Sequence, residues 1–129
     1  MKRHAAAIAA LALCAGMGLR AATDIPECVR SVFGQRCAGC HKGRFPPKGL
    51  NLEPANLAAV LDAPSRGVPE ARIIDTAAPE ASYLLKKIRR EKGVAGHPMP
   101  PGKALTPEEL KVIEDWILGL TSAGSAPSR

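Results

Sequence analysis

Cys37-Ala38-Gly39-Cys40-His41 sets two thiols and an imidazole within five residues. A thioether, Met99, lies further on, inside Gly96-His97-Pro98-Met99-Pro100-Pro101-Gly102. Two cysteines three apart on a helical turn share nearly one face, so both sulfurs can bond a single flat ligand. C-x-x-C-H is the spacing of c-type haem attachment, where the thiols add to the two porphyrin vinyl groups. His41, one residue on, turns by about 100 degrees and can offer its imidazole to the iron as proximal ligand. Ala38 and Gly39 are small enough for a porphyrin edge to lie close to the backbone. The expected cofactor is one covalent haem c, held by Cys37, Cys40 and His41.

Met99 is the expected distal iron ligand, because Met1 and Met17 both fall in an N-terminal leader. Prolines 98, 100 and 101 restrict φ on either side of it, which suits holding a weak thioether in place. Met/His ligation raises the reduction potential. His97 competes for the same position, but only one of the two can reach the iron in a given loop conformation. The place expected for His97 is in solvent or on the propionate side. A zinc site from Cys37, Cys40, His41 and Cys28 or His97 would need adjacent residues 40 and 41 on one tetrahedral ion, and a second C-x-x-C is missing. A thioredoxin-like dithiol would need a preceding strand and a βαβ pattern, whereas an amphipathic helix comes before this motif.

Four helical segments must position these groups. Asp24 is a candidate N-cap with Pro26 in the first turn and Glu27 at N3. Ile25, Cys28, Val29, Val32 and Phe33 follow the spacing of one apolar helix face running into the cysteine motif. Gly43, Pro46, Pro47 and Gly49 then enforce a loop. Pro54 opens a short second helix carrying Leu57, Val60 and Leu61, ended by Pro64 and Gly67. Pro79 opens a third, with Ala81, Leu84, Leu85 and Ile88 on one face. Lys86, Lys87, Arg89, Arg90 and Lys92 crowd its last turns, opposite the negative end of the helix dipole. Thr106, Pro107 and Glu109 form a capping box for the fourth, with Leu105 and Leu110 as its hydrophobic staple. Leu110, Ile113, Ile117 and Leu120 make its buried face, with Trp116 beside it. Ser122 to Arg129 is expected as a flexible tail. No alternating strand pattern or internal repeat appears, so the fold class is all-α.

Composition agrees with a small domain that needs help filling its core. The chain has 129 residues, and aromatics are only 3% of them; a haem would supply the missing large apolar body. Lys2, Arg3 and His4 precede 15 small or apolar residues, Ala5 to Leu19, followed by Arg20-Ala21-Ala22. This is the layout of a Sec-type signal peptide, residues 1–22, which implies a periplasmic protein. Contact with a membrane is expected only if that segment stays uncut, as there is no run long enough for a conventional span. Three of the 18 Lys and Arg lie in the leader, so the +6 net charge falls to 15 positive against 12 negative, or +3. That is too weak and too scattered for nucleic-acid binding. Removing the leader also removes Cys14 and leaves an odd three cysteines, which argues against a disulfide framework. Cys28 is expected as a small buried hydrophobe, with an intermolecular disulfide as the alternative.

On these residues the chain resembles the class I c-type cytochromes over residues 25–120. The resemblance rests on Phe33 four before Cys37, on C-A-G-C-H, on the Met99 loop, and on a final helix containing Trp116-Ile117. Gly49-Leu50-Asn51-Leu52, Pro79 to Leu84, Met99-Pro100-Pro101 and Glu108 to Ile113 are similar to cytochrome c domains of environmental bacteria. The resemblance implies a cytochrome c-like fold of about four helices around one haem, as a domain over residues 23–121. It implies that the first and last helices cross near one haem edge, with Phe33 and Trp116 packing there. In the family a proline about a dozen residues past the histidine supplies the carbonyl that receives the imidazole N–H; here Pro46 and Pro47 come five and six on, which leaves that carbonyl open. The implied role is a monomeric electron carrier without catalytic residues, exchanging one electron with redox partner proteins. The Lys86–Lys92 cluster would steer an acidic partner, or simply compensate the helix dipole. The alternatives are a haem enzyme or gas sensor with a labile or absent sixth ligand, and a fixed haem subunit of a larger oxidoreductase.

Overall fold

The computed structural model describes residues 24–124, with side chains through residue 120. The expected leader, with Met17 and Cys14, and the last five residues of the expected tail lie outside the described residues. Helix α1 spans Glu27–Arg36, α2 Tyr83–Ile88 and α3 Pro107–Gly124, with 3-10 turns at Pro47–Gly49, Pro54–Val60 and Pro79–Ala81. Among the described residues there is no strand, only the isolated bridges Leu61–Ile74 and Pro64–Arg72. The fold is all-α.

Local chemistry explains the helix limits and corrects several expectations. Helix α1 starts two residues later than an Asp24 cap would give: Pro26 holds the cap position with ψ 146° and no side-chain cap hydrogen bond. The Pro26 carbonyl instead receives the N–H groups of Val29 and Arg30, at 3.0 and 3.1 Å. The segment opened by Pro54 is a 3-10 helix that stops at Val60, because Leu61 turns extended to pair with Ile74. The expected third helix is broken in two. Ser82, with ψ 123°, interrupts it after one 3-10 turn, and its buried hydroxyl accepts the Asp75 N–H at 2.9 Å. Helix α2 then ends at Ile88, and Arg90 takes φ 56°, so Arg90 and Lys92 lie beyond the helix rather than on its last turn.

The capping box of α3 forms as its residues predict. Glu109 N–H donates to Thr106 Oγ1 at 3.1 Å, and Thr106 N–H to Glu109 Oε2 at 2.9 Å. Leu105 of the staple is buried and Leu110 half-buried. The helix continues through Gly124 and takes in residues 122–124 of the expected tail.

The core lies between α1 and α3. Cys28, Val29 and Phe33 of α1 meet Val112, Ile113, Trp116, Ile117 and Leu120 of α3. Phe33 and Trp116 pack edge to face with ring centroids 6.0 Å apart and planes at 84°. Such an aromatic pair adds about 1 kcal/mol beyond its area. Leu57, Val60, Ile74, Leu84, Leu85 and Ile88 close the other side. Ile74 is fully buried although it sits in a loop that carries no helical periodicity. Cys28 is buried as expected, and it is disulfide-bonded rather than a bare thiol.

Candidate functional site

Helix α1 delivers the cysteine motif at its C-terminal end. Cys37 is its C-cap, with N–H donating to Phe33 O at 3.0 Å, and Ala38 N–H shares the same carbonyl at 2.8 Å. The Cys37 carbonyl then accepts from Cys40 and His41 N–H, at 3.3 and 3.0 Å. The two cysteines therefore stand one hydrogen-bonded turn apart, and both are free thiols. Cys37 is half-buried and Cys40 exposed. Burial pushes the Cys37 thiol up to about 11; the adjacent Arg36 charge offsets this in part and Glu109 adds to it. Ala38 is buried beneath the turn, while a Cβ on Gly39 would meet nothing within 4 Å.

His41 is clamped to the segment Leu50–Leu52. Leu52 N–H donates to the His41 carbonyl at 2.8 Å, and His41 Nδ1 lies 3.1 Å from Leu50 O. A carbonyl only accepts, so Nδ1 carries the proton, and Nε2 of the neutral ring is left with its lone pair. This is the arrangement that fixes the tautomer of a metal-ligating imidazole. The carbonyl that faces the His41 imidazole is that of Leu50. No side-chain pattern could have found it, because it is a backbone group brought round by a nine-residue loop.

That loop has its own supports. Glu53 Oε2 accepts from Gly43 N–H at 3.2 Å and Asn51 Nδ2 at 2.9 Å, while Asn51 Oδ1 accepts Glu53 N–H at 2.9 Å. The Asn51 side chain and the Gly43 N–H hold the Glu53 carboxyl below its ordinary value. Gly49 takes φ +65°, and a Cβ there would stand 2.3 Å from Arg66 Cζ. The left-handed φ favours glycine before Leu50, and any side chain there would displace the Arg66 guanidinium.

Met99 comes from the loop between α2 and α3. It is half-buried, next to a cis Met99–Pro100 peptide, and His97 is exposed. Side chains of α2 and its C-terminal edge hold the loop by its carbonyls. Lys87 Nζ donates to Ala95 O and to His97 O, the latter at 2.7 Å, and Tyr83 Oη donates to Ala95 O at 3.2 Å. Arg90 Nη2 donates to Pro100 O and Gly102 O at 2.7 and 2.8 Å. Arg36, the neighbour of Cys37, takes the far end through Lys103 O and Ala104 O at 3.0 and 3.1 Å. Burial lowers the Lys87 pKa, and the like charge of Lys48 lowers it further. The near end of the Met99 loop is therefore tied to α2, and its far end to Arg36 beside Cys37.

Lys86 and Lys87 stand in the last turn of α2, and three cations of the basic cluster also make internal contacts. Lys87 and Arg90 hold the loop. Arg89 pairs with Glu114 and Glu80 at 2.7 and 3.0 Å, which raises its pKa. A cavity of about 330 Å³ lies on this side, lined by Lys87, Arg90, Val94, His97 and Pro98 among others, and not by the cysteine turn. Among the described residues no three His, Cys, Asp or Glu side chains gather as a cation cluster, and no helix is long and apolar enough to cross a membrane. No family model, no curated protein and no solved structure matches this chain.

Proposed function

We infer that the chain is an exported, monomeric, single-haem cytochrome c of the periplasm that carries one electron between protein partners. The observation that carries this reading is the 3.1 Å contact of His41 Nδ1 with Leu50 O, which leaves Nε2 basic beside two free thiols one turn apart. Bound there, haem would supply a one-electron iron couple. Cys37 and Cys40 would hold it through thioethers, His41 would be its proximal ligand and Met99 its distal ligand.

The chain's part is to fix those ligands. The Leu50 carbonyl orients the imidazole and raises its basicity. Lys87, Tyr83, Arg90 and Arg36 hold the Met99 loop by carbonyls on both sides of the methionine, so the thioether has little freedom to leave. A thiol held near 11, as Cys37 is in the folded chain, is a poor nucleophile at neutral pH. Attachment at this position would precede its burial.

The test is to express the full chain in a host that attaches haem c and to purify it from the periplasm. A red protein whose peptide containing residues 37–41 carries one haem is expected. The near-infrared band of a ferric Met–haem bond should be present, and absent in Met99→Ala. A colourless chain with unmodified Cys37 and Cys40 overturns the reading. Tight binding of carbon monoxide or cyanide by the unsubstituted protein would move it to the haem enzyme or sensor class.

A further inference from the structure

Phe45 is the one large apolar side chain that the described residues leave in solvent, 87% exposed. It stands in the run Lys42-Gly43-Arg44-Phe45-Pro46-Pro47-Lys48, which has three cations and no acid, all three exposed. The Arg44 guanidinium lies 5.4 Å from the ring centroid. The ring is presented from a braced loop. Glu53 and Asn51 pin Gly43 at its base, two prolines follow, and Gly49 N–H closes the next turn onto Pro46 O at 2.9 Å. Nothing in the fold uses this ring, although water-exposed apolar surface on a rigid support is a mark of a contact site.

The loop's place matters as much as its composition. It leaves His41 directly and returns through Leu50, whose carbonyl faces the His41 imidazole, so Phe45 stands four residues along the chain from His41 on a loop anchored at both ends beside it. In the Lys86–Lys92 cluster, by contrast, Lys87, Arg89 and Arg90 each donate to internal acceptors. We propose that Lys42, Arg44, Phe45 and Lys48 form the docking face of this protein for an acidic redox protein with an apolar depression. The cations steer the encounter, and the ring seals the centre of the contact, where aromatics and arginine concentrate binding energy. A membrane is the poorer fit, since one side chain beside three cations falls short of the two signals that stable anchoring takes. The proposal rests on the electron-carrier reading above.

The experiment titrates the isotope-labelled full-length protein with an acidic blue-copper protein as probe and follows its oxidation by that probe in a stopped-flow instrument. Amide shifts should concentrate at residues 40–48. The triple reversal Lys42→Glu, Arg44→Glu, Lys48→Glu should slow oxidation at low salt by about tenfold or more and reverse the sign of its salt dependence. Phe45→Ser should slow it about threefold at high salt, where the charges are screened, and leave oxidation by ferricyanide unchanged. Lys86→Glu with Lys92→Glu is the control and should stay within about twofold of the unsubstituted protein. Equal slowing in that control, or shifts that map elsewhere, would overturn the proposal. So would Phe45-dependent binding to phosphatidylglycerol vesicles without binding to the acidic protein. A colourless chain would end the electron-carrier reading, yet the shift map would still test this face.

Discussion

Arg36 Nη1 lies 2.6 Å from Glu109 Oε2, joining the last residue of α1 to the first turn of α3 across 73 residues of chain. The same Oε2 accepts the Thr106 N–H of the capping box, and the same guanidinium holds the carbonyls of Lys103 and Ala104. Both side chains are only about one-fifth exposed, so screening by water is limited. This pair fixes where the Met99 loop ends relative to Cys37.

Arg36→Ala should therefore cost about 2 kcal/mol, which in a domain of this size lowers Tm by roughly 8 °C or more. Glu109→Gln keeps an acceptor and should cost less. A double-mutant cycle read by thermal unfolding checks it. Additive losses would show that the two side chains act separately.

Gly49→Ala should destabilise the fold by about 1–2 kcal/mol, the expense of a left-handed residue with a Cβ. The added Cβ also strikes the Arg66 guanidinium. Pairing it with Arg66→Ala removes the clash and leaves the backbone term, so the double variant should recover only part of the loss in a denaturant titration. The exchange of the His41 Nδ1 proton should quicken in Gly49→Ala as Leu50 O shifts. Full recovery in the double variant would mean that the φ of Gly49 carries no strain.

Glu53 should contribute to acid sensitivity. Its folded pKa is depressed below 4.5, first by Asn51 and then by the Gly43 N–H. A depressed carboxylate gives stability that is fully present above its unfolded pKa and lost as pH falls through the folded value. Asp62, held down by the Thr76 hydroxyl and N–H, behaves the same way. Tm measured against pH should fall less steeply below about pH 4.5 in Glu53→Gln than in the unsubstituted protein. A second flattening is expected when Asp62→Asn is added, and near neutrality the curves should run parallel.

In chain made without haem attachment and shown to be folded, iodoacetamide should modify Cys40 well before Cys37. Cys40 is exposed, whereas burial raises the Cys37 thiol to about 11, and only the thiolate reacts. Peptide mass mapping over time reads the order. Equal rates would show that the end of α1 opens faster than the reagent adds.

Much of the site is legible in the residues because its signals are local. Thr106, Pro107 and Glu109 cap α3 from within four residues, and the apolar spacing of α1 finds Val29 and Phe33. Cys37, Cys40 and His41 share a turn because hydrogen bonds between near neighbours make it. Phe33 and Trp116 meet because each lies on the one apolar face its helix must bury. The third helix was less legible: the Ser82 break depends on Asp75, seven residues away, whose N–H the serine hydroxyl takes.

What the tertiary structure alone decided is where backbone carbonyls and long cations go. The carbonyl facing His41 belongs to Leu50, and every residue type carries the same carbonyl, so no side chain announces it. Lys87, Arg89 and Arg90 read as a solvated basic run, yet they turn inward because the loop after α2 offers carbonyls, and Glu80 and Glu114 carboxylates, within reach. Sequence fixes which groups a chain possesses; the path of the loops through space decides which of them meet.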